Sequence, residues 1–190
     1  MRPVAGQVWL LLFGLIPALL LAGAFKHVQD KHWTGKYDRY FKKYAKHYFG
    51  PGFDWHWFKA QGIAESGLRA GATSPAGAKG IMQILPSTFA EIKKKNPHYQ
   101  SIDDPHWNIA AAIYYDRIMY RRWRKKLSTG QQLKFAFASY NAGYSRVERA
   151  FNRAKAEGRQ ADTWDQIAPL TPAETQSYVR RIQDLMKRTQ

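Results

Sequence analysis

The chain has 190 residues, 45% of them apolar, carries 30 lysines and arginines against 14 aspartates and glutamates for a formal charge of +16, and contains no cysteine. That length suits one compact domain rather than two, and the apolar and aromatic content separates the chain from disordered sequences. The lack of cysteine excludes disulfides, thiolate nucleophiles, thiolate zinc sites and a lipid-modified cysteine anchor, while the charge calls for an anionic polymer or surface without choosing among nucleic acid, lipid and cell-wall polymer.

Val8 to Phe25 is an uncharged apolar run of 18 residues preceded by Arg2. It is just long enough for a membrane span of ~20 residues, and Ala22-Gly23-Ala24 also has the small-residue pattern of a signal cleavage site. The expectation for residues 1–25 is an N-terminal hydrophobic helix acting as an uncleaved signal-anchor, with a cleaved signal peptide as the alternative. Lys26, Lys31, Lys36, Arg39, Lys42 and Lys43 come after the run, so a positive-inside count would hold the rest of the chain in the cytoplasm. Residues 26–50 read as a basic, aromatic, helix-compatible juxtamembrane segment, and Gly50-Pro51-Gly52 as the boundary before a domain over 51–190.

Within that domain Asp54 is placed to cap a helix whose apolar positions Trp57, Phe58 and Ile63 lead to Glu65 at its end. Pro86 to Phe89 starts a second, short helix. Asp104-Pro105 starts a longer one with Ile109, Ala112, Ile113, Ile118 and Met119 as its buried stripe. Gln131 to Ser139 forms another, running into Tyr140. The last begins at Thr171-Pro172-Ala173-Glu174, which has the pattern of a capping box, and presents Tyr178, Val179, Ile182 and Leu185 on adjoining faces. No stretch alternates like a strand, and no repeat is present, so the fold class is mainly α.

Two basic stretches interleaved with aromatics, Lys36 to Tyr44 and Tyr120 to Lys126, have a composition suited to single-stranded nucleic acid. A solvated face with snorkelling lysine and arginine stems accounts for them better, and nucleic acid is not the expected partner.

The chemistry-bearing blocks are Glu65-Ser66-Gly67, then Ser74 followed by Gly77-Ala78-Lys79-Gly80-Ile81-Met82-Gln83, then Tyr140-Asn141-Ala142-Gly143. A glutamate held against small and apolar residues loses solvation and gains the raised pKa of a general acid. In this order the blocks, spanning about Phe53 to Val179, resemble the soluble lytic transglycosylase (SLT-type) family of the lysozyme-like superfamily, whose members cleave peptidoglycan. Ile81 and Ser139 depart from the commonest residues of that pattern without touching a proposed catalytic group.

The resemblance implies a lysozyme-like helical domain and an enzyme that cuts the β-1,4 bond between N-acetylmuramic acid and N-acetylglucosamine without water, leaving 1,6-anhydro ends. It implies Glu65 as the catalytic acid and then base, and Ser74, Met82 through its main chain, Gln83, Tyr140, Asn141, Glu174 and Tyr178 as substrate-side residues, with the Tyr140 hydroxyl close to Glu65. No cofactor and no metal are expected. Hydrolytic glycosidases usually require two carboxylates, yet after Glu65 the next is Glu91, and Asp103, Asp104 and Glu174 reach the site only if the chain folds back. A hydrolytic muramidase and a noncatalytic wall-binding component of a secretion or phage machine are the competing readings. The expected partners are glycan strands and, through the leader, a membrane, with the domain facing the periplasm or wall; the lysines after the apolar run oppose that orientation, which a cleaved leader or phage delivery would resolve.

Overall fold

The computed structural model of the chain describes residues 32–187. Eight α-helices are present among them: α1 Asp38–Phe49, α2 His56–Ser66, α3 Pro86–Lys95, α4 Pro105–Trp123, α5 Thr129–Ala142, α6 Tyr144–Ala156, the one-turn α7 Trp164–Ile167 and α8 Ala173–Lys187. Short 3-10 turns at Gly35–Tyr37 and Ala168–Leu170 lead into α1 and towards α8. The expected helix over residues 1–25 lies outside the described residues, and among those described no helix is long and apolar enough to cross a membrane.

The helices begin where local chemistry places them. Asp104 accepts a hydrogen bond from the His106 amide at 2.8 Å and Pro105 supplies the fixed φ of the first helical turn of α4. Asp54 does the same ahead of α2, accepting from the His56 amide at 3.0 Å. At the end of α2, Gly67 takes the left-handed conformation and returns its amide to the Ile63 carbonyl. The capping box sits at α7, where Thr163 and Gln166 bond reciprocally. The one expected at Thr171 is replaced by a different bond: the Thr171 hydroxyl donates backward to the Ala168 carbonyl at 2.7 Å, and the Gln176 amide side chain donates to the Thr171 carbonyl.

The core centres on α4 and α5, which pack against each other; α1 packs on α4 and α2, α6 and α8 pack on α5, and α8 also packs on α2. Phe58, Ile63, Ile109, Ile113, Phe135 and Phe137 are fully buried there. Phe41, Tyr44 and Ala45 of α1 belong to the same core, so Gly50-Pro51-Gly52 is a turn within the packed unit rather than a break ahead of it. Of the expected α4 stripe, Ile118 alone stays partly exposed. Helix α6, unforeseen in the sequence, buries Val147, Ala150, Phe151 and Ala154 at spacings of three and four, the spacing of one helix face.

Between α2 and α3 the chain runs through an irregular segment, residues 67–85, whose only pairing is two isolated bridges, Thr73 with Lys79 and Lys79 with Ile84. Such a segment needs its polar backbone groups satisfied by other means. Buried Asn108, in the first turn of α4, supplies three bonds: it donates to the Lys79 and Ile102 carbonyls and accepts from the Met82 amide at 2.8 Å. A side chain at Gly80 (φ +77°) would drive a Cβ to 2.5 Å from the Asn108 amide, so glycine is required there on both counts. Ser66 adds a bond from its hydroxyl to the Ile81 carbonyl at 2.8 Å, tying the end of α2 to the same segment.

Candidate active site

Glu65 is the next-to-last residue of α2. Its side chain keeps part of its surface open, while the protein mass around it removes most of the solvation an anion needs. Burial therefore raises its pKa from an ordinary value of 4.5 to about 8, and the carboxylate of Glu174 adds to the rise. The Tyr178 hydroxyl and the Arg181 guanidinium act in the opposite direction. A carboxylate at the C-terminal end of a helix also faces the negative end of the helix dipole, which favours the protonated form.

Tyr178, Arg181 and Glu174 all come from α8, spaced three and four apart and so on one face of that helix. The Tyr178 hydroxyl donates to Glu65 Oε1 at 2.6 Å. Arg181 donates to the Ala64 and Ile63 carbonyls at 3.0 and 3.2 Å at the end of α2, where the Ile63 carbonyl also accepts the Gly67 amide. One side chain thus caps the helix that carries Glu65 and places a positive charge beside it. Glu174 itself is exposed.

Tyr140, expected to hold its hydroxyl close to Glu65, donates it to the Met82 carbonyl at 2.7 Å. It remains near enough for the Glu65 charge to help push its own pKa well up, after burial. The Met82 side chain is fully buried in the core, its amide is taken by Asn108, and only the second lone pair of its carbonyl is left for a ligand. Gln83 adopts a left-handed conformation (φ 47°) and spends its amide protons on the Ala72 and Gly80 carbonyls, leaving its carbonyl oxygen available. Ser74 forms a tight turn, its hydroxyl oxygen accepting from the Ala78 amide at 3.0 Å, with its own proton still to donate. Asn141 accepts from the Thr175 hydroxyl at 2.8 Å, which links α5 to α8 behind the site.

Hydrogen bonds therefore join Glu65 to Tyr178 and Tyr140 to Met82, Gln83 follows Met82 in the 67–85 segment, Ser74 lies in a turn of the same segment, and Asn141 ties α5 to α8. An apolar groove of about 120 Å³, lined among others by Ile92, Tyr114, Tyr115 and Ile118, runs beside this arrangement, since Tyr115 meets the Tyr140 ring edge-on with centroids 5.5 Å apart. A larger, polar hollow of about 470 Å³ between α7 and α8 shares no lining residue with the site. Among the described residues no group of histidines and carboxylates is arranged to hold a metal.

Four residues of this arrangement were not found in the sequence: Asn108, Arg181, Gln61 and Asp116. The last two are fully buried at 0% exposure, and Gln61 Nε2 donates to Asp116 Oδ1 at 3.3 Å between α2 and α4. The sequence did carry a signal for Asp116, because it occupies the register of Ile109, Ala112 and Ile113 in the apolar stripe of α4, where a carboxylate is out of place.

Residues 40–163 match the transglycosylase SLT domain family. Similar curated proteins include the membrane-bound lytic murein transglycosylase F of Shewanella pealeana, 31% identical over 72% of this chain and 26% of that protein, and its namesake in Marinobacter nauticus, 29% identical over 84% of this chain and 30% of that protein. The chain thus spans about a quarter to a third of the length of these relatives. Among solved structures, the 70-kDa soluble lytic transglycosylase of Escherichia coli superposes with a TM-score of 0.68 at 25% identity, over 86% of this chain and 25% of that one. A complex of the 70-kDa soluble lytic transglycosylase with bulgecin A gives 0.65 at 27% identity, over 84% and 25% respectively.

Proposed function

This chain belongs to the transglycosylase SLT family, and from that premise we propose that it is a lytic transglycosylase of peptidoglycan in which Glu65 is the single acid and base. The observation that carries the reading is the Glu65 carboxyl itself: protonated up to about pH 8 by its surroundings, still open on one side, and oriented by Tyr178 at 2.6 Å. A general acid needs that combination of proton, access and fixed direction.

In this reaction Glu65 gives its proton to the glycosidic oxygen as the bond from C1 of the muramic acid breaks, and the N-acetylglucosamine leaves with its hydroxyl restored. The resulting carboxylate, stabilised by the Tyr178 hydroxyl and the Arg181 charge, takes the proton of the muramoyl C6 hydroxyl while that oxygen bonds to C1. Glu65 ends as it began, protonated, and no water is consumed. An internal hydroxyl already beside C1 has a large effective-concentration advantage over solvent. The open acceptor of Gln83, the second lone pair of the Met82 carbonyl, the unspent hydroxyl proton of Ser74 and the amide protons of Asn141 supply the polar contacts to the sugar in this reading, and Tyr114 and Tyr115 supply an apolar face for its ring. The apolar run over residues 8–25 would hold the domain at a membrane facing the wall, in keeping with the membrane-bound relatives.

The test is mass spectrometry of soluble products after the 190-residue chain and its Glu65→Gln variant are incubated with purified peptidoglycan. Anhydro-ended fragments from wild type alone are expected. Products heavier by one water would make the enzyme a hydrolase, for which exposed Glu174 is the neighbouring carboxylate, and no product from either protein would leave a wall-binding component.

A further inference from the structure

Behind Glu65 lies a polar pair that the proposed reaction does not use. Asp116 of α4 and Gln61 of α2 are both completely buried, joined by the Gln61 Nε2 to Asp116 Oδ1 bond at 3.3 Å. Each keeps one buried oxygen without a partner, Asp116 Oδ2 and Gln61 Oε1. Each member of a pair already joined by one bond thus carries one unpaired acceptor, and a single proton shared between them would satisfy both. An ionised Asp116 would leave both oxygens unsatisfied and a charge in the core, the most expensive way to bury these atoms.

We propose that Asp116 is a neutral carboxylic acid whose Oδ2 proton is donated to Gln61 Oε1, closing a two-bond ring between α4 and α2, and that this ring is a positioning element for Glu65. Gln61 precedes Glu65 by four residues on α2, so the two side chains share one face of the helix, one turn apart. The ring clamps that face to α4 one turn before Arg181 and Tyr178 take hold of its end. It also keeps the cavity free of a second negative charge. The groups facing Asp116 are Gln61 and Glu65 of α2, Tyr140 of α5 and Tyr178 of α8, with Tyr115 beside it on α4; none of them is a cation. Those facing Glu65 are Tyr178, Arg181 and Glu174 of α8, Tyr140 of α5 and Asp116. Burial and the neighbouring Glu65 hold the Asp116 carboxyl well above the usual carboxylate range, against the opposing effect of the Gln61 bond.

The ring itself stands without any assumption about activity; its positioning role rests on the proposed function of Glu65. Asp116→Asn is the discriminating variant, because a carboxamide offers one acceptor and one donor and reproduces both bonds. A buried neutral acid favours the folded state less and less as pH rises above the unfolded pKa, and asparagine lacks that dependence. The melting temperature of D116N is therefore expected to equal or exceed that of the wild-type 190-residue chain, with a gap in its favour that widens from pH 5 to pH 8. Carbon-13 NMR of the side-chain carboxyls should show two protonated resonances at pH 7, those of Glu65 and Asp116, and D116N should remove one of them. In turnover, D116N should leave the alkaline limb of the pH profile where it is. A Gln61→Leu/Asp116→Leu double variant, isolated as folded protein by circular dichroism, should lose about tenfold in kcat with KM little changed.

A lower D116N melting temperature at pH 8, or an alkaline limb moved to lower pH as removal of an anion requires, would overturn the neutral acid. An unchanged kcat in the folded double variant would overturn the positioning role. Absence of turnover in wild type would instead sink the proposed function, with the melting and NMR results still reading the proton on Asp116.

Discussion

The two ends of α2 each hold an ionisable side chain wholly or partly out of water, and the protein treats them in opposite ways. Near the N-terminal end Lys59, only 3% exposed, meets Asp38 of α1 at 2.7 Å and lies over the rings of Trp33 and Trp55, its ammonium 4.9 and 5.6 Å from their centroids. At the C-terminal end Glu65 receives one tyrosine hydroxyl and a nearby guanidinium, too little to offset its burial, and its pKa goes up to about 8. A charge met by an opposite charge is held still and does structural service. A charge left short of compensation keeps its proton available, which is the property that acid catalysis requires. The two lie six positions apart on one helix and differ because their neighbours differ: α1 supplies a carboxylate to the first, α8 supplies mainly a neutral phenol to the second.

The difference can be broken most sharply at Glu65. Glu65→Gln removes the acid and should lower turnover about a thousandfold, read from release of soluble fragments. Its effect on stability has the other sign. The folded state binds the Glu65 proton between the ordinary pKa of 4.5 and about 8, so wild-type stability falls as pH rises through that window. Glutamine keeps an acceptor for Tyr178 without the penalty, and at pH 7 the variant should be more stable by ~2 kcal/mol in urea unfolding, a figure reduced for the part of Glu65 still open to solvent.

At the other end the outcome reverses. Asp38→Ala strands the buried Lys59 ammonium and should destabilise the protein by about 2 to 3 kcal/mol, less than for a fully buried pair because Asp38 is itself 25% exposed. Activity per folded molecule should not change, as a urea titration followed in parallel with turnover would show. A loss of turnover out of proportion to unfolding would mean that the two ends of α2 are not independent.

The smallest expected effect sharpens the account of Glu65 itself. Tyr178→Phe removes the hydrogen bond that favours the anion, so the Glu65 pKa should rise further and the alkaline limb of the pH profile should move upward from about 8. Turnover at pH 6 should fall roughly tenfold, in proportion to one lost bond to a charged group. A limb that stays in place would show that Tyr178 orients substrate rather than tuning the acid.

Most of the helices were legible because their signals are local. Asp104-Pro105 marks the start of α4, and the spacing of Trp57, Phe58 and Ile63 marks α2, in both cases within a few residues of the element they define. Glu65 stood out for the same reason, as the one carboxylate leading a block of small residues. The capping box assigned to Thr171 was a local pattern that lost to a competing bond, since the Thr171 hydroxyl turns back to Ala168 in the preceding 3-10 turn. Helix α6 escaped because its buried positions, Val147, Ala150, Phe151 and Ala154, are mostly small and are set among Arg146, Glu148, Arg149, Arg153 and Lys155, which mask the stripe.

The sequence by itself determined a helical domain, its capacity to bury a large aromatic core and its excess of positive charge, and it singled out Glu65 as the candidate acid, because each of these is carried by composition or by residues adjacent in the chain. The tertiary structure alone decided that the hydroxyl meeting Glu65 is that of Tyr178, 113 residues away, while Tyr140 turns to Met82. It likewise decided that Asn108 holds the 67–85 segment, that Arg181 caps α2, and that Asp116 faces Gln61. Periodicity assigns a side chain to a face of its helix. Which atom it meets there depends on how that helix is rotated and packed against others distant in sequence, and hydrogen bonds form or fail over a few tenths of an ångström.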